Sequence, residues 1–346
     1  FVLPVAIDRQ VMLAARPRAD RCVRLWSVSF RQPSEFDLDD ITHDSAAPWS
    51  NYVRGVAWAL QQHNSTLRGI DAVIAGNVPI GSGLSSSAAI EVATAVTFRA
   101  LSELDITPVQ LALLCQRAEN EFVGMKCGIM DQFIAMLGQH GSALWIDCRS
   151  LEHEAVPLPA GVSVVICDTM KRRGLVDSEY NLRRQQCEQG LALLQPYLPG
   201  AQALRDVSSA DLHQYDHVMP PVVRQRCAHV VSEDERVESA VAALRAGAVD
   251  QFGHLRDLSH ASLRDDYEVS CPVLDVMVEV ALRVPGCLGA RMTGAGFGGC
   301  TVNLVHADAA EEFARQVAGQ YENETGMKPE VYVCAASAGA GELTLA

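Results

Sequence analysis

A chain of 346 residues, 49% hydrophobic and 20% charged, is long enough for two domains and too apolar for extended disorder. Its formal charge of −14, with no Lys/Arg block to offset it, argues against a nucleic-acid backbone or an anionic membrane surface as a partner. No stretch reaches the roughly 18 apolar residues of a membrane span, and eleven cysteines never spaced C-x-x-C suit neither a disulfide framework nor a zinc ribbon, so reduced thiols in the cytoplasm are expected.

The opening "FVLPVAIDRQ" is strand-like and has neither a basic n-region nor a small-residue cleavage site, so no signal peptide is expected. Alternation predicts strands over 69–78, 141–148 and 161–168, and a 3.6-residue period predicts helices over 85–102, 107–122 and 178–195. Pro and Gly within 152–163 mark a hinge between an N-terminal half, 1–157, and a C-terminal half, 158–346. The second half reads as helices to about residue 284, then strands over 287–294 and 300–307, a helix over 308–325 and a strand over 330–336. This mixture lacks the regular alternation of a doubly wound sheet.

Within that order, "PIGSGLSSSAAIEVATA" (79–95) places bare backbone directly before a helix expected to start near Ser85. The first N–H groups of such a helix are unpaired and carry partial positive charge. Gly76, Gly81 and Gly83 let the backbone approach a ligand, and the serines add hydroxyls without bulk, so the stretch suits a phosphate cradle. It is also compatible with a Gly-rich turn that Ser simply caps. Neither G-x-x-x-x-G-K-[ST] nor G-x-G-x-x-G fits it. "TGAGFGG" (293–299) is a second Gly-rich loop between strands, readable as a hairpin or as the other wall of a polyphosphate site. In "AENEFVGMKCGIMDQF" (118–133), Gly124 and Gly128 break the chain between Glu119 and Asp131, which allows two carboxylates to meet, one for a metal and one near a reacting hydroxyl. Cys127 beside Gly128 reads as a small apolar filler in preference to a reactive thiol.

"PIGSGLSSSAA", "CGIMDQF", "SEYNLRRQQCE", "LSHASLRDDYEVSCPVLD" and "GARMTGAGFGGCTV", with "WSNYVRGV" and "HVVSEDERV", resemble the galactokinase branch of the GHMP small-molecule kinase family over nearly the whole chain. The resemblance implies a bilobal α+β fold of two mixed α/β lobes with the active site in the cleft between them. It implies an ATP- and Mg²⁺-dependent transfer to the anomeric hydroxyl of galactose, and the acidic surface of the chain fits a monomer. Another sugar kinase of the family, such as an N-acetylgalactosamine kinase, and a non-catalytic galactose and ATP sensor are the alternatives.

Residue by residue, the resemblance implies that Pro79, Gly81, Ser82, Gly83, Leu84, Ser85, Ser86 and Ser87 wrap the ATP phosphates, while Ser87 and Glu119 hold Mg²⁺. Asp131 then faces the anomeric hydroxyl, Gly128 and Tyr180 contact the sugar, Gly294, Gly296 and Gly298 close over the nucleotide, and Trp49 packs near adenine. Without the resemblance, Tyr180 reads as part of a solvated helix, and "SLRDDYEVS" as an exposed turn with no chemistry. The family's N-terminal signature, G-R-V-N-L-I-G-E-H-T-D-Y-N-x-G, directly precedes a stretch like "FVLPVAI", where this sequence begins. The expectation is therefore either a fragment of a longer protein, less stable for the sheet strands it lacks, or a chain without part of its active site.

Overall fold

Alternation of apolar and polar side chains builds the first sheet. Strands β1 (Val11–Pro17), β2 (Cys22–Ser27), β3 (Gln32–Asp37) and, after helix α1 (Asn51–Gln62), β4 (Ile70–Gly76) assemble in the order β1-β4-β2-β3. β2 runs parallel to β4, with Val23 opposite Ile70, and the other pairs are antiparallel. Val23, Leu25, Ile70, Ala72 and Ile74 turn to one buried face, while Arg24, Trp26 and Val73 stand on the other. Burying one such aliphatic side chain stabilises the fold by about 1.5–3 kcal/mol. Pro33 is tolerated in β3 because that strand is an edge and needs no donor on its outer side. The strand-like opening of the sequence did not extend to a prediction of β1, β2 or β3: Pro33 and Glu35 in β3 and the charged residues Arg16, Arg18, Asp20, Arg21 and Arg24 in and around β1 and β2 weaken the period-2 signal there.

The structure, a computed structural model, describes residues 1–172 and 176–343, with only the backbone of 176–178 and 180. On α1, Val53, Val56, Ala57 and Leu60 lie on one fully buried stripe. Arg54 sits among them at 5% exposure. Its guanidinium donates to Glu35 O (2.9 Å), Ser34 Oγ (3.0 Å), Thr42 O (3.2 Å), Ser50 Oγ (3.2 Å) and the Asp44 carboxylate (3.2 Å), which ties α1 to the edge strand. Removing one partner of a buried ion pair strands the rest, so Arg54→Met is expected to lower unfolding stability by roughly 3 kcal/mol, read as a shifted urea midpoint at unchanged slope.

Helix α2 (Ser86–Leu101) packs on β1 and against α1. Helix α3 (Pro108–Arg117) starts with a Thr107/Gln110 capping box and Pro108 at its first position, as its sequence dictates, and runs into a single π-helical stretch, Ala118–Val123. Helix α4 (Met130–Leu137) and a two-stranded sheet of β5 (Ser142–Ile146) and β6 (His153–Pro157) follow. Ser337 N donates to Ala6 O, Gly339 N to Gly138 O and Ala340 N to Ala135 O, so the C-terminal residues group with this unit.

The chain divides into two compact units, each with its own sheet and helices, in keeping with the α+β expectation. One holds 4–80, 85–155 and 336–346, the other 1–3, 81–84 and 156–335. The division after residue 155 falls inside the Pro- and Gly-containing segment 152–163. In the second unit come β7 (Val162–Asp168), α5 (Val176–Leu194), α6 (Ser209–Gln214), α7 (Pro221–Arg245), α8 (Val249–Asp265), α9 (Pro272–Arg283), β8 (Cys287–Met292), β9 (Cys300–His306), α10 (Ala310–Thr325) and β10 (Glu330–Cys334). Its sheet is antiparallel throughout, ordered β10-β7-β9-β8. Val165, Val278, Val305, Phe313 and Tyr321 form its core beneath α9 and α10, and a separate cluster around Leu194, Val223 and Cys227 holds α5 against α7. Among the described residues no disulfide joins any of the eleven cysteines, and no helix is long and apolar enough to cross a membrane.

Candidate active site

The stretch before α2 is held in strained backbone. Gly81 (φ +72°) and Gly83 (φ +89°) are left-handed, and so is Ser85 (φ +60°), which has a Cβ and pays about 1 kcal/mol for it. Ser85 occupies the N-cap position of α2, but its side chain makes no capping hydrogen bond. The helix begins at Ser86, close to the expected Ser85, with Ser86 and Ser87 in its first turn. A Cβ added at Gly81 meets nothing within 4 Å, so the backbone there faces open space. Pro79, Ser82, Gly83 and Leu84 complete the turn, Ser82 fully buried.

One helical turn below Ser87, Glu91 projects from α2 into the interior and is fully buried. It meets Glu119, which lies in the π-helical stretch, a widening that recurs at functional sites. The Glu119 main-chain carbonyl accepts from Gly124 N (2.9 Å) and Met125 N (3.0 Å), turning the chain sharply at Gly124. Its carboxylate accepts from Gln132 Nε2 (2.6 Å), Cys127 Sγ (3.2 Å) and the Ser87 hydroxyl. The same Gln132 amide donates to Glu91 Oε2 (3.1 Å), so one side chain of α4 bridges two buried carboxyls. Glu91 Oε1 and Gln132 Oε1, both buried, have no hydrogen-bond partner.

Asp131 precedes Gln132 in the first turn of α4, half-buried, where the helix N-terminus favours an anion. The turn leading to it is fixed by Cys127 N donating to Asn120 Oδ1 (2.7 Å) and by Gln116 Nε2 donating to Cys127 O (3.2 Å). Gly128 is exposed, with open space where a Cβ would stand. The structure thus brings Ser87, Glu119, Cys127 and Asp131 into one cluster, and adds Glu91 and Gln132, which sequence reasoning missed. A signal existed: Glu91 is the single acid in an apolar helix and stands four residues after Ser87, on the same face.

Burial pushes the Glu119 carboxyl above its ordinary value, against the Cys127 and Ser87 hydrogen bonds and with a further upward push from Asp131. Glu91 is pushed well up, first by burial, then by the Glu119 charge. The Cys127 thiol is also pushed up, by burial and the adjacent Glu119, which fits a filler and not a nucleophile. The sign for Glu91 follows from its raised pKa: its contribution to stability is complete below the unfolded value near 4.5 and is lost as pH rises through the folded one. Glu91→Gln is therefore expected to gain stability over the parent as pH rises above that value, by roughly 1.4 kcal/mol per pH unit until the folded pKa is passed. Thermal melts of both proteins in chelator across pH 4 to 8 check this.

In the second unit, the loop between β8 and β9 carries Gly294 (φ +73°), Gly296 (φ +89°) and Gly298 (φ +130°). Two of these glycines are demanded by neighbouring backbone as well as by φ. A Cβ on Gly296 would stand 2.1 Å from Val269 O, and one on Gly298 2.7 Å from Lys171 O. Tyr180 falls on α5, and its side chain lies outside the described residues. Trp49 is 6% exposed, stacks on Phe30 with centroids 6.1 Å apart, and donates Nε1 to Gln32 Oε1 (3.1 Å).

Known proteins resemble this chain along most of its length. Residues 51–139 match the family described as GHMP kinases N terminal domain, and residues 240–323 match GHMP kinases C terminal. The galactokinase of Chloroflexus aggregans is 52% identical over 339 residues, 98% of this chain and 87% of the relative. That of Roseiflexus sp. is 50% identical over 343 residues, 99% and 88% of the two chains. Among solved structures, Lactococcus lactis galactokinase complexed with galactose superposes with a TM-score of 0.94 at 36% identity, covering 98% of this chain and 88% of that one. With half its residues identical to these relatives along nearly its whole length, and both GHMP kinase regions matched, the chain belongs to the galactokinase branch of the GHMP kinase family, which transfers phosphoryl groups from ATP.

Proposed function

We propose that this chain moves the γ-phosphoryl group of ATP to the anomeric hydroxyl of galactose, with Asp131 as the group that faces the hydroxyl. The observation that carries the reading is the cluster at the start of α2: uncapped helix N–H groups and serine hydroxyls adjoin a buried Glu119, with Asp131 close enough to act on its charge. The open backbone at Gly81 and the N–H groups of the first turn of α2 suit phosphate oxygens. Asp131 orients the sugar hydroxyl and takes its proton as the new bond to phosphorus forms. Gly128 leaves room for the sugar beside Asp131, Tyr180 is assigned to the sugar as well, and the 293–299 loop to the nucleotide.

Ser87 and Glu119 fit Mg²⁺: a carboxylate and a hydroxyl already in contact are hard oxygen donors, and this ion takes few protein ligands, leaving the rest to phosphate and water. When bound, the ion neutralises charge developing on the phosphoryl oxygens. Gln132 and Cys127 hold the Glu119 carboxylate in place for it. For Trp49, a committed indole N–H and a buried ring favour packing inside the first unit over contact with adenine.

The test is galactose-dependent ADP release by the protein, with Asp131→Asn alongside. Release that requires galactose and vanishes in the variant is the expected result. Release indifferent to galactose, or to the substitution, overturns the reading.

A further inference from the structure

The segment "RDDYEV", read from sequence as an exposed turn without chemistry, has its carbonyls turned inward. Arg183 of α5 is 7% exposed and donates to Tyr267 O (2.7 Å) and Glu268 O (2.9 Å). Arg226 of α7 is 2% exposed and donates to Asp266 O and to the Glu268 carboxylate, while its Nε reaches Gln186 Oε1 (3.3 Å). Three consecutive carbonyls are thus taken by two buried guanidiniums from two helices. Glu268 is held at φ +51°, a conformation a non-glycine residue adopts only when its surroundings impose it. The next carbonyl, Val269 O, accepts the Phe297 N–H at 2.6 Å, and Gly296 lies so close to it that no Cβ fits. On the far side of the loop, Lys171 O accepts from Gly299 N (3.0 Å) and Gly299 O accepts from Thr169 N (3.0 Å).

We propose that Arg183 and Arg226 are positioning residues for the 293–299 loop: by fixing the carbonyls of 266–268 they set the height of Val269 O, on which Phe297 and Gly296 are seated. Buried arginines can serve here because one rigid planar fork of five donors holds several carbonyls in a fixed geometry, whereas an ammonium offers three rotatable donors on a flexible stem. The consequence for ligand binding rests on the assignment of that loop to the nucleotide.

Arg226→Lys keeps the charge and loses the fork. Two readouts are taken on the intact protein: site-resolved amide exchange, and ADP and galactose binding by calorimetry. Phe297 N–H exchange is expected to rise about tenfold, the scale of one weakened hydrogen bond, while the Val302 and Leu304 amides of β9 keep their protection. ADP affinity is expected to fall about tenfold with galactose affinity held within about twofold. Unchanged exchange at Phe297 overturns the proposal. Faster exchange at Phe297 with unchanged ADP affinity upholds the positioning role and overturns the assignment of the loop to the nucleotide, so the two failures are told apart. Arg183→Lys, which frees Tyr267 O and Glu268 O from the other helix, is held to the same outcomes if Arg226→Lys does not fold.

Discussion

Asp131→Asn should abolish most turnover while leaving the protein folded. Loss of a positioned proton acceptor commonly removes a factor on the order of 10² to 10⁴ from the chemical step. An amide of the same shape keeps the hydrogen-bonding bulk at the start of α4, so galactose affinity should change little and the defect should fall on kcat. Asp131 is half-buried and not part of the Gln132 bridge, so the thermal midpoint should stay near that of the parent. Steady-state kinetics with sugar binding measured separately decides the matter. A variant within tenfold of the parent would remove Asp131 from the chemistry, and a defect confined to KM would make it a binding residue only.

Glu119→Gln should be nearly as damaging, by a different route. The substitution keeps volume in a buried site and leaves Gln132 an amide oxygen to bond, so folding is expected to survive. It removes a charge where a metal and phosphates would be held, and removal of one preorganised electrostatic group costs on the order of 10² to 10³ in rate. Because burial raises the Glu119 carboxyl, the neutral variant should also be somewhat more stable than the parent above the ordinary carboxylate range, the direction expected for Glu91. The discriminating measurement is Mn²⁺ titration in the presence of ADP. Affinity for Mn²⁺ equal to the parent's would show that Glu119 is a structural acid buried beneath the start of α2 and not a ligand.

Glu91 and Glu119 also bear on each other through Gln132. Two carboxyls that share a single amide donor, each with burial against it, do not both ionise comfortably. The unpartnered Glu91 Oε1 and Gln132 Oε1 mark the place where a proton or a cation would relieve the cluster.

What could be read from the chain alone was what local chemistry controls. The glycines before α2 announced open backbone, the 3.6-residue period announced helices starting near Ser85 and Thr107, and alternation announced β4 and β7; each depends on residues a few positions apart. The loop at 79–87 and the Glu119 and Asp131 pair were legible for the same reason, since a helix start and glycine breaks bring them together over short distances.

Other features had no local signature. Arg54, Arg183 and Arg226 look in sequence like solvated charges, yet each is buried because its partners arrive from elsewhere: Arg183 meets Tyr267 O across 84 residues, and Arg226 meets Glu268 across 42. Gln132 reads as an ordinary helical polar residue until α2 and the π-helical stretch place two acids on its one amide. The sequence by itself determined where the backbone must bend and which groups near the start of α2 it brings together. Only the tertiary structure decided which polar side chains are buried to hold those groups, because the free energy of burying a charge or an amide is set by partners that folding alone delivers.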